Sequence, residues 1–347
     1  MSVSTPTEPA AQTASGGRGR RLAKIALAVL GVLALVVVVL NWTYGRLPSE
    51  PKPSGSFIKV GSLRIHYVEH PGPGTPVVLI HGLPGTAEDW NEVTPLLAGR
   101  RTIAIDRPGF GYSTGGYVPF ERQLSTIHQL LAELHVTRPI LVGHSYGGTI
   151  SLGYAERYPS EVRGLVLVDA AAAGTHPGTF QELQAHTIQF LQLPVIKQVA
   201  DATFSQLLRK VSAEMGDSEA FHPQPVAAAH EQRILAINMT AGNLKALAGE
   251  YLAAGRVVEQ VDRGLKAIET PAVVIQGEED QLVKPIYGRR LAADLPHARL
   301  EMLYGGHMQP YDHPAAVASA VQSLGAVSRP AGGSARLTGR AGRSRSE

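Results

Sequence analysis

Three short apolar runs, PVVLI at 76–80, PILV at 139–142 and GLVLV at 164–168, show no two-residue alternation of apolar and polar side chains. A strand with one face in water alternates, whereas a strand covered on both faces does not, and such strands belong to parallel sheets clad in helices. Five further β-rich runs, SFIKV (56–60), LRIHYVEH (63–70), RTIAID (101–106), PAVVIQG (271–277) and ARLEMLY (298–304), are interspersed with helical stretches. The first two of these follow each other too closely for an intervening helix, which predicts an antiparallel edge. The pattern as a whole predicts an α/β fold with a mostly parallel, eight-stranded sheet.

No strand pattern interrupts residues 173–268. Stretches there, such as FLQLPVIKQVADATFSQLLRKVSAEM and NLKALAGEYLAAGRVVEQV, carry apolar side chains at helical spacing. The segment is too long for a loop inside a compact sheet domain. It is expected to be a helical cap inserted between two parts of one core, residues 57–172 and 269–326.

The ends of the chain are of another kind. Of the formal net charge of +3, residues 1–24 hold +3 and residues 328–347 hold +4, so the body between them carries −4. A mildly acidic body with basic ends argues against a nucleic-acid-binding fold. Residues 1–24 and 327–347 are small, polar and basic, and are expected to be disordered. Between the first of them and the body, Ile25–Leu40 is uncharged and apolar. As a helix it covers roughly 24 Å, enough to span a bilayer core with Trp42 and Tyr44 at one interface. Residues 25–44 therefore read as a transmembrane signal anchor. The Lys and Arg residues before it predict a cytoplasmic N-terminus and an exported body. The alternative is a cleaved signal peptide and a secreted domain, but NWTYGRLPSE places bulky residues where small ones precede a cleavage site. Residues 45–56, rich in proline, read as a linker. The chain has no cysteine, which excludes disulfides, thiolate metal sites and cysteine nucleophiles.

The run at 139–142 leads into GHSYGGTI, a serine between glycines followed by a helical stretch. Strand, tight turn and helix in that order form a nucleophile elbow, where neighbours two residues either side of the serine have room for almost no side chain; Gly143 and Gly147 meet that need. A serine hydroxyl needs a base to remove its proton and an acid to hold that base in one tautomer. Thirteen histidines are present, so position must select among them. His307 follows the strand run RLEMLY, and Asp280 follows PAVVIQG. Both lie past the C-terminal end of a strand, the rim where catalytic groups gather in such sheets. Glu278 and Glu279 in the same loop, and Asp169 at the end of another strand, are alternative acids. His144 is expected to be structural and His81 to shape its loop through hydrogen bonds, while Asp106 and Arg107 are expected to fix theirs. His313-Pro314 reads as a helix start. Trp90 reads as core, and Phe110 as core or pocket wall.

With HGLPG (81–85), DRPGFGYS (106–113), GHSYGG (143–148), GEED (277–280) and GGH (305–307) in order, residues 55–326 resemble the α/β-hydrolase family, in particular its cap-bearing esterase and epoxide-hydrolase-like branch. The resemblance implies a catalytic triad of Ser145, Asp280 and His307, with the backbone N–H groups of Leu83 and Tyr146 forming an oxyanion hole. It implies no metal and no organic cofactor. Relatives acting on epoxides or haloalkanes carry aspartate at the elbow, so Ser145 implies acyl transfer through an acyl-serine. The expected substrate is a small, apolar carboxylic ester or related acyl compound. Carbon–carbon, amide or haloperoxidase-type chemistry on the same triad, and a non-catalytic binding protein displayed at the membrane, are the rival readings.

Overall fold

The computed structural model describes residues 16–326; the expected basic tail from residue 327 onward and residues 1–15 lie outside the described residues. The β-rich runs form eight strands: β1 (Ser56–Val60), β2 (Leu63–His70), β3 (Val77–Ile80), β4 (Thr102–Ile105), β5 (Ile140–His144), β6 (Gly164–Val168), β7 (Ala272–Gly277) and β8 (Ala298–Leu303). They make one sheet in the order β1-β2-β4-β3-β5-β6-β7-β8. Strand β2 runs antiparallel to both β1 and β4, and the remaining pairings are parallel. The antiparallel edge is thus where the absence of a crossover helix predicts it.

The lack of alternation in the central runs has a direct cause. Val78, Ile80, Leu141, Leu165 and Leu167 pack into an apolar cluster on one face of the sheet. Their immediate neighbours Val77, Leu79, Ile140, Val142, Val166 and Val168 pack into a second cluster on the other face, where Trp90 also sits. Helices α2 (Phe120–Glu133) and α3 (Tyr146–Arg157) cover the first face and α11 (Pro314–Ala326) the second. Pro314 opens α11 at its first position, as the His313-Pro314 pair predicts.

Residues between β6 and β7 form the helices α4 (Thr179–Leu191), α5 (Pro194–Thr203), α6 (Ser205–Phe221), α7 (Ala228–Arg233) and α8 (Ala241–Asp262). They hold no strand, and they sit over the sheet's C-terminal rim, walling a cavity there with residues of the core. Two shorter helices, α9 (Pro285–Asp294) and α10 (Gln309–Asp312), complete the second core part.

The first helix, α1, spans Gly16–Thr43. Residues 16–24 are therefore helical, contrary to the expected disorder: the Arg, Leu, Ala and Lys residues there are good helix formers and continue the apolar helix upstream by about two and a half turns. Residues Gly19–Thr43 are long and apolar enough to cross a membrane, and none of that stretch is buried against the rest of the protein over its apolar window. The linker that follows is laid onto the body. Leu47 packs against cap residues, Pro51 O accepts the Tyr112 hydroxyl at 2.9 Å, and Ser54 O pairs with His66 Nε2.

Candidate active site

Strand β5 hands the chain to Ser145, whose φ of 53° lies in the left-handed region that side chains rarely occupy. Such a backbone persists only where its surroundings hold it. Here the Ser145 N–H donates to Val168 O (2.9 Å), and its carbonyl accepts the N–H groups of Gly148 (2.9 Å) and Ala171 (3.0 Å). A Cβ on Gly143 would collide with the Gly147 carbonyl, and one on Gly147 with the Ile80 and His81 carbonyls. The glycines on either side of the serine are thus required by the closeness of β3, β5 and α3.

His307 lies between β8 and α10, buried to 5% exposure. Its Nδ1 is 2.7 Å from Asp280 Oδ2. The other carboxylate oxygen, Oδ1, accepts the N–H groups of Leu282 (2.9 Å) and Val283 (2.8 Å), so the loop after β7 holds Asp280 in one orientation. An Nδ1–H donated to Asp280 leaves Nε2 as the lone-pair nitrogen of the neutral ring. Three backbone or ring contacts fix His307 itself: its N–H donates to Ala220 O of the cap (2.9 Å), its carbonyl accepts from His144 Nε2 (2.8 Å), and the two imidazoles lie 4.8 Å apart. Burial, with the charge of His307, lowers the His144 pKa to about 3; that ring is a neutral donor holding its neighbour's backbone.

The rival acids separate clearly. Glu278 and Glu279 are exposed, and Glu279 accepts the Gly305 N–H at 3.3 Å. Asp169 is wholly buried, with Oδ1 accepting Gly277 N–H at 2.8 Å and Gln276 Nε2 at 3.3 Å and with Oδ2 unpartnered. Burial and the charge of Asp280 push the Asp169 pKa well above its ordinary value. Gln276 Nε2 also reaches Asp280 Oδ2 at 3.3 Å and sits between the two. Donor atoms of His144, Asp169 and His307 lie within 4.8 Å of one another, the one such group among the described residues. Two of its rings already donate elsewhere, to His307 O and Asp280.

The HGLPG loop is held by Arg107. His81 Nε2 accepts the Arg107 N–H at 2.9 Å while its Nδ1 donates to Gly82 O at 2.9 Å. Burial, then the charge of Arg107, lowers the His81 pKa to about 4, as this neutral tautomer requires. The Arg107 guanidinium donates to the carbonyls of His81 (3.1 Å) and Gly82 (2.9 Å) and pairs through both terminal nitrogens with Glu250 of α8 (2.8 and 2.9 Å). Phe110 lies under that guanidinium, 4.5 Å from ring centre to Cζ, and belongs to the contact between core and cap. Leu83, next along the loop, lines the cavity. Tyr146 opens α3, and the first N–H groups of a helix have no acceptor within it.

Ser145, His307, Leu83 and Tyr146 face one cavity of about 180 Å³, whose apolar wall includes the cap side chains Ala213, Ile234, Met239, Leu247 and Val258. Its polar wall contains a cluster that the sequence did not single out. His230 of α7 is flanked by Asp89 Oδ1 at 3.6 Å and Asp217 Oδ1 at 3.4 Å. The Tyr311 hydroxyl sits 3.2 Å from His230 Nδ1 and 3.4 Å from Asp89 Oδ1 and is also bonded by Arg233. Asp89 and Tyr311 belong to the core, the others to the cap.

Burial alone would lower the His230 pKa, but the hydrogen bonds and charges of Asp217 and Asp89 outweigh it and raise it to about 9. Since the folded value lies above the unfolded value of ~6.5, the cluster stabilises fully below pH ~6.5 and its contribution disappears as pH rises through about 9. Thermal melts between pH 7 and pH 10 should therefore show a loss of about 3 kcal/mol that His230→Gln abolishes. An equally steep decline in that variant would mean another group is responsible.

Against known proteins, the family model described as the alpha/beta hydrolase fold matches residues 75–314. A monoacylglycerol lipase of Mycolicibacterium smegmatis is 29% identical over 261 residues, 71% of this chain and 85% of the relative. Lipase 1 of Psychrobacter immobilis is 28% identical over 235 residues, 66% of this chain and 70% of the relative. Among solved structures, an esterase from Exiguobacterium antarcticum superimposes with a TM-score of 0.63 at 21% identity, covering 78% of this chain and 99% of its own. The chain belongs to the α/β-hydrolase family, and it is a hydrolase enzyme.

Proposed function

We propose that this hydrolase cleaves carboxylic esters through an acyl-serine intermediate, with Ser145 as nucleophile, His307 as general base and Asp280 as the acid that orients it. The observation that carries this reading is the convergence on one cavity of a serine in a left-handed turn and an imidazole whose Nδ1 is held by a buried carboxylate. His307 Nε2 takes the Ser145 hydroxyl proton as Oγ attacks the ester carbonyl, then gives it to the departing alcohol. The Leu83 and Tyr146 N–H groups stabilise the tetrahedral oxyanion; each such donor contributes about 3–4 kcal/mol in the transition state. His307 then activates a water to release the acid. Asp280 accepts the Nδ1–H of the imidazolium throughout.

The lipase and esterase names of the relatives agree with this reading. The apolar wall of the cavity suits an apolar acyl chain. A signal anchor at α1, with basic residues on its cytoplasmic side, holds the enzyme in a membrane with the hydrolase body exported.

The test is covalent labelling. A fluorophosphonate should modify the folded wild type stoichiometrically and leave Ser145→Ala unmodified, and the variant should lose at least ~10³-fold in kcat on p-nitrophenyl esters. Labelling of the alanine variant would remove Ser145 from the mechanism.

A further inference from the structure

Three neighbouring cap helices each present an apolar stripe to solvent at helical spacing. Leu183 and Phe190 of α4 are 64% and 57% exposed, Val195 and Val199 of α5 are 76% and 59%, and Val211 and Met215 of α6 are 42% and 54%. Soluble surfaces scatter such residues singly; a contiguous face of them marks an interaction site. Its neighbour on the molecule is the apolar helix α1, which packs against α5 and α6. The buried Asn41, in the last turn of α1, accepts the Leu207 N–H of α6 through Oδ1 at 3.0 Å. Trp42 and Tyr44, the aromatic residues suited to a membrane interface, are 61% and 67% exposed beside that junction.

Beneath the face lies a second cavity of about 180 Å³. Leu183 and Leu208, themselves exposed, form part of its wall. Gln184, Ser212, Met239 and Leu247 wall both this cavity and the one holding Ser145 and His307. These four side chains are the partition between the two cavities, so their rearrangement would join the exposed face to the cavity of the candidate nucleophile. The charges on the face are balanced internally: Lys197 and Arg209 pair with Asp201, and Lys210 lies near Glu214. Adsorption there would be driven by apolar insertion, with little dependence on lipid charge.

We propose that the outer face of α4, α5 and α6 rests in the surface of the bilayer that α1 enters, and that the acyl chain of a membrane-dissolved lipid ester passes between these helices to Ser145. The proposal rests on the reading of α1 as an anchor and of the site as an ester hydrolase. It extends both by naming the substrate class, an ester partitioned in the membrane, and the route by which it arrives.

The absence of native cysteine permits a direct test on the full chain reconstituted into phosphatidylcholine vesicles. Val195→Cys and Val199→Cys, each labelled with bimane, should show a blue-shifted emission quenched severalfold more by nitroxide-labelled lipid than the same dye at Lys266→Cys, whose side chain is 84% exposed away from the face. The same result should hold when phosphatidylglycerol replaces half the lipid. Emission typical of water, or a blue shift without lipid quenching as between two copies of the chain, would overturn the proposal. In the Val195→Glu/Val199→Glu variant, the kcat/KM ratio for vesicle-borne monooleoylglycerol over soluble p-nitrophenyl butyrate should fall at least tenfold; an unchanged ratio would also overturn it. Inertness of the wild type toward both esters would count against the ester-hydrolase reading instead, whatever the dyes report.

Discussion

Asp280→Asn should lower kcat by about three to four orders of magnitude while leaving KM within a few-fold and the thermal midpoint nearly unchanged. Asparagine keeps the shape of the side chain, and its carbonyl oxygen can still accept the Leu282 and Val283 N–H groups. Its amide then faces His307 Nδ1 with a donor where an acceptor stood. The imidazole answers by placing its proton on Nε2, and an Nε2–H cannot take the Ser145 proton. Steady-state kinetics on a p-nitrophenyl ester measure the effect. A loss below tenfold would show that Asp280 does not set the tautomer and would move attention to Asp169, whose carboxyl lies within 4.8 Å of the donor atoms of His307 and His144.

Glu250→Ala should cost about 3–5 kcal/mol of stability, because it leaves the Arg107 guanidinium charged and unpaired in a site with no exposure. The penalty comes less from the lost attraction than from a buried cation without its counterion. For a domain of this size it corresponds to a fall in the melting midpoint of roughly 10 °C. The activity should fall with it, since the same guanidinium holds the His81 and Gly82 carbonyls and through them the loop that presents Leu83. Replacing Arg107 and Glu250 together by methionine should recover much of the stability and little of the activity. Calorimetry and kinetics on the three proteins separate the two roles. Full activity in the double variant would show that Arg107 does not hold that loop.

What the sequence made legible follows from where its signals are local. Ser145, Asp280 and His307 each stand just beyond a strand in a glycine-bearing loop, so three separate strand patterns point to one rim without reference to any contact between them. The non-alternating runs announced two covered faces, and adjacent residues such as Val142 and Leu141 divide between two cores as that requires. Glu250 offered a weaker signal, a charge set among Ala246, Leu247, Ala253, Ala254 and Val257 on the apolar stripe of α8; its partner lies 143 residues away and no spacing rule reaches that far. His230 offered none. One histidine of thirteen acquires meaning only when Asp89 and Asp217 arrive from different helices, an encounter decided by how the cap settles on the core. At the N-terminus, small and polar composition argued for disorder, but helix propensity in the basic segment prevailed from Gly16 onward.

Helix α8 is bound along its length, to the core and, at its C-terminal end, to the first residues of the cap. Asn243 Nδ2 donates to Gly111 O (3.2 Å), Glu250 holds Arg107, Gln260 Nε2 reaches Glu121 (2.6 Å), and Asp262 accepts the N–H groups of Ala173 and Gly174 (2.6 and 2.7 Å). Of the other cap helices, α4 packs chiefly on α8, and α6 accepts the His307 N–H through Ala220 O at 2.9 Å. The rest of the cap thus hangs from α8 as from a beam. Swinging that beam would draw Glu250 from Arg107 and pull the loop presenting Leu83 apart.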